Sequence, residues 1–198
     1  MKKGIAFFDF DGTITKKDSL LEFIRFCKGK LSFIVGFLLN MHYLLGYKLK
    51  LISNQKAKER ILGYFFNKMP LHVFEDCCRR FNEERLPYLI RPGALKEIKS
   101  LKDKGYIIVI VSASPENWIR DWAKQNDLEM ISSILEIQNG KLTGKICGKN
   151  CHGQEKVRRI LEKYHITDFD EILAYGDSYG DRPMLDLAST SFYRPFRS

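Results

Sequence analysis

The chain lacks the marks of several large classes. Its five cysteines, Cys27, Cys77, Cys78, Cys147 and Cys151, are odd in number and two are adjacent, so no disulfide framework fits and a reducing cytoplasm is expected. Cys147, Cys151 and His152 lack C-x-x-C spacing and a second pair, which argues against structural zinc. No partner is evident for His42, His72, His152 or His165. There is no internal repeat or low-complexity linker. The first apolar run, Ile5-Ala6-Phe7-Phe8, is cut by Asp9, too soon for a signal-peptide core, and reads as a buried strand. Ordinary glycine (14) and proline (6) argue against disorder and collagen. Negative charge is the scarcer sign, 24 acidic against 33 basic residues, a net +9 that favours anionic partners. The basic residues are scattered, without the aromatic-interleaved stripe of a nucleic-acid binder, so no nucleic-acid partner is expected.

What is present suffices for a packed core. At 198 residues, 44% hydrophobic, the chain is sized for one domain or a core with an inserted module. Ile5 to Phe10 reads as a fully buried strand closed by Asp11-Gly12. Ser19-Leu20-Leu21-Glu22 fits a capping box opening a helix to about Lys28. Helical patterns cover about 53–67 and 71–90, the second opened by Pro70. After Arg91-Pro92-Gly93, helices and strands alternate: a helix from Ala94 stopped at Gly105, a strand from Tyr106 to Val111, and a helix start at Ser114-Pro115. A strand pair over Ile131 to Ile146 turns at Asn139-Gly140. A helix from Gly153, a strand from Glu171, a helix from Asp181 and a last strand at Phe192-Tyr193 follow. This alternation predicts an α/β fold, a parallel sheet flanked by helices. Residues 16–90 are then a helical cap inserted after the first strand, with 1–15 and 91–198 as the core. The insertion leaves from the carboxyl end of a strand, where open α/β sheets bind ligands.

Polar residues gather at the strand ends in that zone: Asp9-Phe10-Asp11-Gly12-Thr13, Ser112-Ala113-Ser114, and Gly176-Asp177-Ser178 with Asp181. Lys156 opens a helix between the second and third groups. Carboxylates converging there need a cation, and hard oxygen donors suit Mg²⁺. A carboxylate can attack phosphorus, and a second one two residues on can protonate the leaving oxygen and then activate water. Ser112, backbone N–H groups and Lys156 can hold phosphoryl oxygens. Each is a need of phosphoryl transfer.

The constellation resembles the haloacid dehalogenase superfamily, across the whole chain and in the right order. Asp9 to Thr13 resembles its first motif, Ser112 its second, Lys156 its third, and Gly176-Asp177-Ser178 with Asp181 its fourth. The phosphoserine-phosphatase-like branch, subfamily IB, is the best match. The resemblance implies a Rossmann-like core with a C1-type cap. It implies Asp9 as nucleophile, Asp11 as acid/base, and Mg²⁺ on Asp9, the Asp11 carbonyl and Asp177 with Asp181 nearby. It places Ser112, Lys156 and backbone around Asp11 and Gly12 on the phosphate, with Thr13 and Ala113 in the substrate-binding set. In this branch an acidic residue at the position of Asp18 contacts the substrate amine, with helix capping as the equal alternative for Asp18, and Arg60 roughly matches the position of a carboxylate-binding arginine, with a solvated helix face as its favoured alternative.

The expected protein is a cytoplasmic, Mg²⁺-dependent phosphatase acting on a small phosphorylated metabolite through an aspartyl phosphate on Asp9. Two alternatives remain. One is a lipid-phosphate phosphatase at the membrane surface, since the chain also resembles a phosphatidylglycerophosphate phosphatase branch around Cys151 to Val157 and in its apolar cap. The other is a phospho-accepting signalling module, which lacks a large insertion and needs no Asp11. Leu31 to Tyr47, 17 residues without formal charge, is short of the about 20 a spanning helix needs. It is expected as a buried cap helix, with an interfacial helix as the alternative.

Overall fold

The computed structural model describes residues 4–197; residues 1–3 and 198 of the expected core lie outside them. The strands are β1 (Gly4–Phe8), β2 (Ile107–Pro115), β3 (Glu129–Ser133), β4 (Leu135–Gln138), β5 (Lys141–Ile146), β6 (Glu171–Gly176) and β7 (Thr190–Tyr193). Five form one sheet in the order β3-β2-β1-β6-β7, every neighbour parallel. Central β1 is buried along its whole length, which is why it reads as an unbroken apolar run rather than an alternating one. Ala6 and Phe8 face one hydrophobic cluster, Ile5 and Phe7 the other, as a period of two requires. This is the expected α/β architecture.

Between β1 and β2 run α1 (Ser19–Leu39), α2 (Met41–Lys48), α3 (Asn54–Phe66), α4 (Leu71–Glu84), α5 (Leu86–Leu89) and α6 (Pro92–Asp103). Later come α7 (Arg120–Gln125), α8 (Gln154–Lys163) and α9 (Arg182–Leu187). The helical segment leaves and returns as a pair of crossings: Thr15 bridges Ile90, Lys16 N–H donates to Leu89 O (2.7 Å) and Arg91 N–H to Ile14 O (2.8 Å). Aromatic rings fill its centre, where Phe23 meets Phe66, Phe74, Phe81 and Trp118 at centroid separations of 4.6–5.6 Å.

Several local expectations are corrected. Asp18, not Ser19, caps α1, its side chain accepting the Leu21 N–H at 3.1 Å. The first helical run ends near Lys28 as expected, where Gly29 leaves helical geometry (φ +79°, ψ 164°), and a second run continues to Leu39. Ser114 caps no helix, because β2 runs on to Pro115. Only β4 and β5 form the hairpin, turning at Asn139 and Gly140 with φ of +50° and +70°, the signature of a type I′ turn; β3 joins the main sheet. The hairpin packs on α3 where a Cβ on Gly144 would stand 2.3 Å from the Gly63 Cα, so two glycines let the backbones touch.

The expected burial of Leu31 to Tyr47 is overturned. Leu31 is 77% exposed and Leu38 61%. The reason is that this stretch is apolar on two faces and only one finds a partner. Gly36 and Asn40 are buried and Phe33 and Phe37 half-buried against the cap core, with Phe65 closing over Gly36. The other face meets water.

Candidate active site

The carboxyl end of β1 delivers Asp9 to the sheet's edge, and its N–H is held by Tyr175 O of β6 at 2.9 Å. Residues 10–14 then make a wide turn in which Gly12 takes φ +80°, a conformation open to glycine. A Cβ there would lie 2.5 Å from Asp177 Oδ2, so the glycine also makes room for that carboxylate. A cleft of about 440 Å³ opens over this end. Asp9, Asp11, Gly12, Ala113, Lys156, Asp177 and Asp181 line its floor, and Lys16, Lys17, Asp18, Asn54 and Lys58 line its mouth.

Lys156 is fully buried and donates to Asp9 Oδ1 (2.6 Å), Asp181 Oδ1 (2.7 Å) and Val111 O (2.7 Å). Burial pulls its ammonium down, but Asp9 and Asp181 outweigh that and hold it above its ordinary value. Burial pushes the Asp9 carboxyl up; Lys156 opposes, while Asp181 and Asp11 add to the rise. The firm ion pair is therefore Lys156 with Asp181. The Asp181 carboxyl, though buried, is held below its usual value by Lys156 and Ser178. Its Oδ2 accepts from Ser178 Oγ (2.7 Å), Ser178 N–H (2.9 Å) and Asp177 N–H (3.2 Å), which locks the last loop onto the site.

Asp11 turns its carboxylate to the cap side. Oδ1 accepts the Ser19 N–H at 2.6 Å and Oδ2 the Ser114 hydroxyl at 2.5 Å. Asp9, Asp177 and Asp181 instead converge, one carboxylate oxygen of each lying within 4.8 Å of the other two. Burial and the nearby Asp181 raise the Asp177 carboxyl against the pull of Arg197. Three hard, mutually repelling oxygen donors with one open side fit a small divalent cation such as Mg²⁺.

Most of the residues expected from sequence meet here, and three do not line the cleft. Ser112 is fully buried, its hydroxyl accepting the Ser114 N–H at 3.0 Å. Thr13 is buried, and its hydroxyl has no hydrogen-bond partner among the described residues. Arg60 is exposed, stacks 4.9 Å over the Tyr43 ring and faces a separate cap groove of about 770 Å³. The cation that α3 sends into the cleft is Lys58, whose Nζ donates to Ala113 O at 2.9 Å. Two residues turn a helix by about 200°, so both cannot point inward. The signal was present: Lys58 stands three, four and seven places before the buried Ile61, Leu62 and Phe65. Burial pulls the Lys58 ammonium down while Asp18 and Asp11 hold it up. Asp18 stands at the open mouth; crowding by protein and the charge of Asp11 push its carboxyl up to about 6, a rise that water at its exposed edge moderates. Ser114, named only within a polar strand end, and His152 were given no site role from the sequence, and Arg197 was not singled out, yet all three line the cleft. Arg197 hydrogen-bonds Asp177 Oδ2 from the far end of the chain, a contact with no local signal.

Residues 6–186 match the family model of haloacid dehalogenase-like hydrolases. Protein CicA of Caulobacter vibrioides is 34% identical over 193 residues, covering 96% of this chain and 85% of its own. A phosphoserine phosphatase of Archaeoglobus fulgidus is 33% identical over 124 residues, 61% of this chain and 34% of its own. Among solved structures, a phospho-aspartyl intermediate analogue of phosphoserine phosphatase superposes with a TM-score of 0.71 at 19% identity, covering 96% of this chain and 86% of the other.

Proposed function

Because the chain belongs to the haloacid dehalogenase-like hydrolases and is a phosphatase of phosphoserine-phosphatase-like type, we propose that it hydrolyses small phosphomonoesters in the cleft above Asp9. A carboxylate oxygen of Asp9 forms the new bond to phosphorus as the ester P–O bond breaks. Asp11 gives its proton to the departing alcohol oxygen. Asp11 then takes a proton from water, which attacks phosphorus, releases phosphate and restores Asp9. Lys156 fixes Asp9 and supplies positive charge beside the phosphoryl oxygens. Backbone at Gly12 and Ala113 borders the phosphate position, while Ser112 acts one layer back, orienting the Ser114 N–H. Mg²⁺ held by Asp9, Asp177 and the Asp11 carbonyl, with Asp181 beside it, would neutralise charge on the transferring group.

One observation carries this reading: Asp9 and Asp11 flank a single cleft but have opposite neighbours, a buried ammonium at 2.6 Å for the first and two uncharged donors for the second. The mouth supports a small polar substrate with charge of both signs, since Lys16, Lys17 and Lys58 line it together with Asp18. The test is a panel of phosphorylated metabolites, an aryl phosphate and a phosphatidylglycerophosphate, each assayed with Mg²⁺ and with a chelator. Turnover is expected to favour the soluble compounds, to need the metal, and to leave trapped phosphate on Asp9 that Asp9→Asn abolishes. Phosphate trapped on any other residue, or full turnover in chelator, would overturn it.

A further inference from the structure

The outward face of the cap is an anomaly of composition and position together. Leu31, Ile34, Val35 and Leu38 recur at three, four and seven residues, the spacing of a helix's buried stripe, yet all are exposed. Met41 and Leu45 of α2 extend the same display, each 51% exposed. Gly29 lets the helix change direction where the stripe begins, and a Cβ there would meet nothing, so the glycine serves conformation rather than packing. Six large apolar side chains exposed along two consecutive helices are unlike the singly scattered ones that need no explanation, and such a display marks an interaction surface.

Charge says what would cover it. From residue 23 to residue 58 there is no Asp or Glu, while Arg25, Lys28, Lys30, Lys48, Lys50, Lys56 and Lys58 supply seven positive charges. Lys30 stands at one end of the apolar stripe and Lys48 and Lys50 at the other, all three exposed. A second copy seated on this face would set that uncompensated positive stretch against itself. A lipid surface carrying negative head groups satisfies both features at once, taking the apolar side chains at the head-group boundary and the lysines at the phosphate level. Among the described residues no helix is long and apolar enough to cross a membrane, which leaves lying on it.

We propose that the α1–α2 face of the cap docks the protein on anionic membranes. This goes beyond the phosphatase reading and stands or falls separately from it. The whole chain is floated with vesicles of phosphatidylcholine alone and of phosphatidylcholine with phosphatidylglycerol. Flotation is expected with the anionic vesicles only and should fall in high salt. Each neutralisation in Lys30→Gln, Lys48→Gln and Lys50→Gln should lower partitioning about fivefold. Leu38→Asp should lower it by roughly ten- to hundredfold. Hydrolysis of a soluble aryl phosphate by each variant reports that the fold is intact, and the lysine variants decide the matter if Leu38→Asp fails to fold. No flotation, equal flotation with neutral vesicles, or a concentration-dependent dimer that Leu38→Asp dissolves would overturn the proposal.

Discussion

Lys156→Met tests how the buried charge cluster is held. Methionine keeps the length and most of the volume of the side chain but removes the ammonium that serves Asp9, Asp181 and Val111 O at 2.6–2.7 Å. Removing one partner of a buried ion pair costs about 3–5 kcal/mol, because the charges left behind have lost their water and gained nothing. In a chain of this size 1 kcal/mol is worth about 2–4 °C, so melting should fall by roughly 6–20 °C. The loss should depend on pH. In the parent protein the Asp181 carboxyl is lowered, so it contributes stability above its unfolded value near 3.9, lost only as pH falls through the lower folded value. Lys156 is raised, so its contribution is complete below its unfolded value of about 10.4 and does not vary near neutrality. Without the ammonium, Asp181 loses what held it down and Asp9, already raised, rises further. Both then oppose folding while ionised and cease to as protons return. The deficit should be full at about pH 8 and distinctly smaller at about pH 5. Thermal unfolding of both proteins in chelator, across that range, measures it. A deficit below about 1 kcal/mol, or one that does not change with pH, would refute the account of a cluster held by one buried cation.

Two further outcomes follow from geometry. Gly12→Ala demands a left-handed alanine, costing about 1–2 kcal/mol, and drives a methyl to 2.5 Å from Asp177 Oδ2; the Mg²⁺ concentration for half-maximal activity should rise steeply, and an unchanged value would remove Asp177 from the metal set. Lys58→Ala should raise KM for a small anionic substrate by about ten- to hundredfold, the worth of a hydrogen bond to a charged group, while Arg60→Ala leaves it unchanged; the reverse order would return the specificity role to Arg60.

The sheet and the motif carboxylates were legible because each is written locally. A strand buried on both faces has to be a short apolar run, and β1, β2 and β6 are such runs, each ending in the polar residues that line the cleft. The Asn139-Gly140 turn was equally plain, since few pairs accept positive φ twice. What was misread depended on partners distant in the chain. Ser19 looked like a cap, but its hydroxyl accepts from Trp118 Nε1 at 3.0 Å, 99 residues away, leaving Asp18 to cap. Ser114 looked like a helix start, yet its hydroxyl is spent on Asp11, 103 residues back. For Leu31 to Tyr47 the pattern was right and the inference wrong: helical periodicity says which residues share a face, and nothing about whether that face is covered. Arg60 is a different case: its exposure fits the solvated helix face expected for it, and similarity of position along the chain takes no account of the phase of α3, which turns it away from the cleft.

The two hydrogen bonds to Asp11 come from two different segments, Ser19 N–H from the first turn of α1 and Ser114 Oγ from the end of β2, and the two serine hydroxyls stand 3.3 Å apart. Asp9, by contrast, is held by Tyr175 O of β6 and by Lys156 of α8, neither of them in the segment between β1 and β2. In the proposed reaction the attacking group would thus be fixed to the sheet side, and the proton carrier would be shared between α1 and β2. The helical segment leaves and returns beside the Thr15–Ile90 bridge, so a displacement of α1 against the sheet would change the Ser19 contact to Asp11 and not the Lys156 contact to Asp9. Under the proposed roles, bond-making and proton delivery at this site would therefore answer to different parts of the molecule.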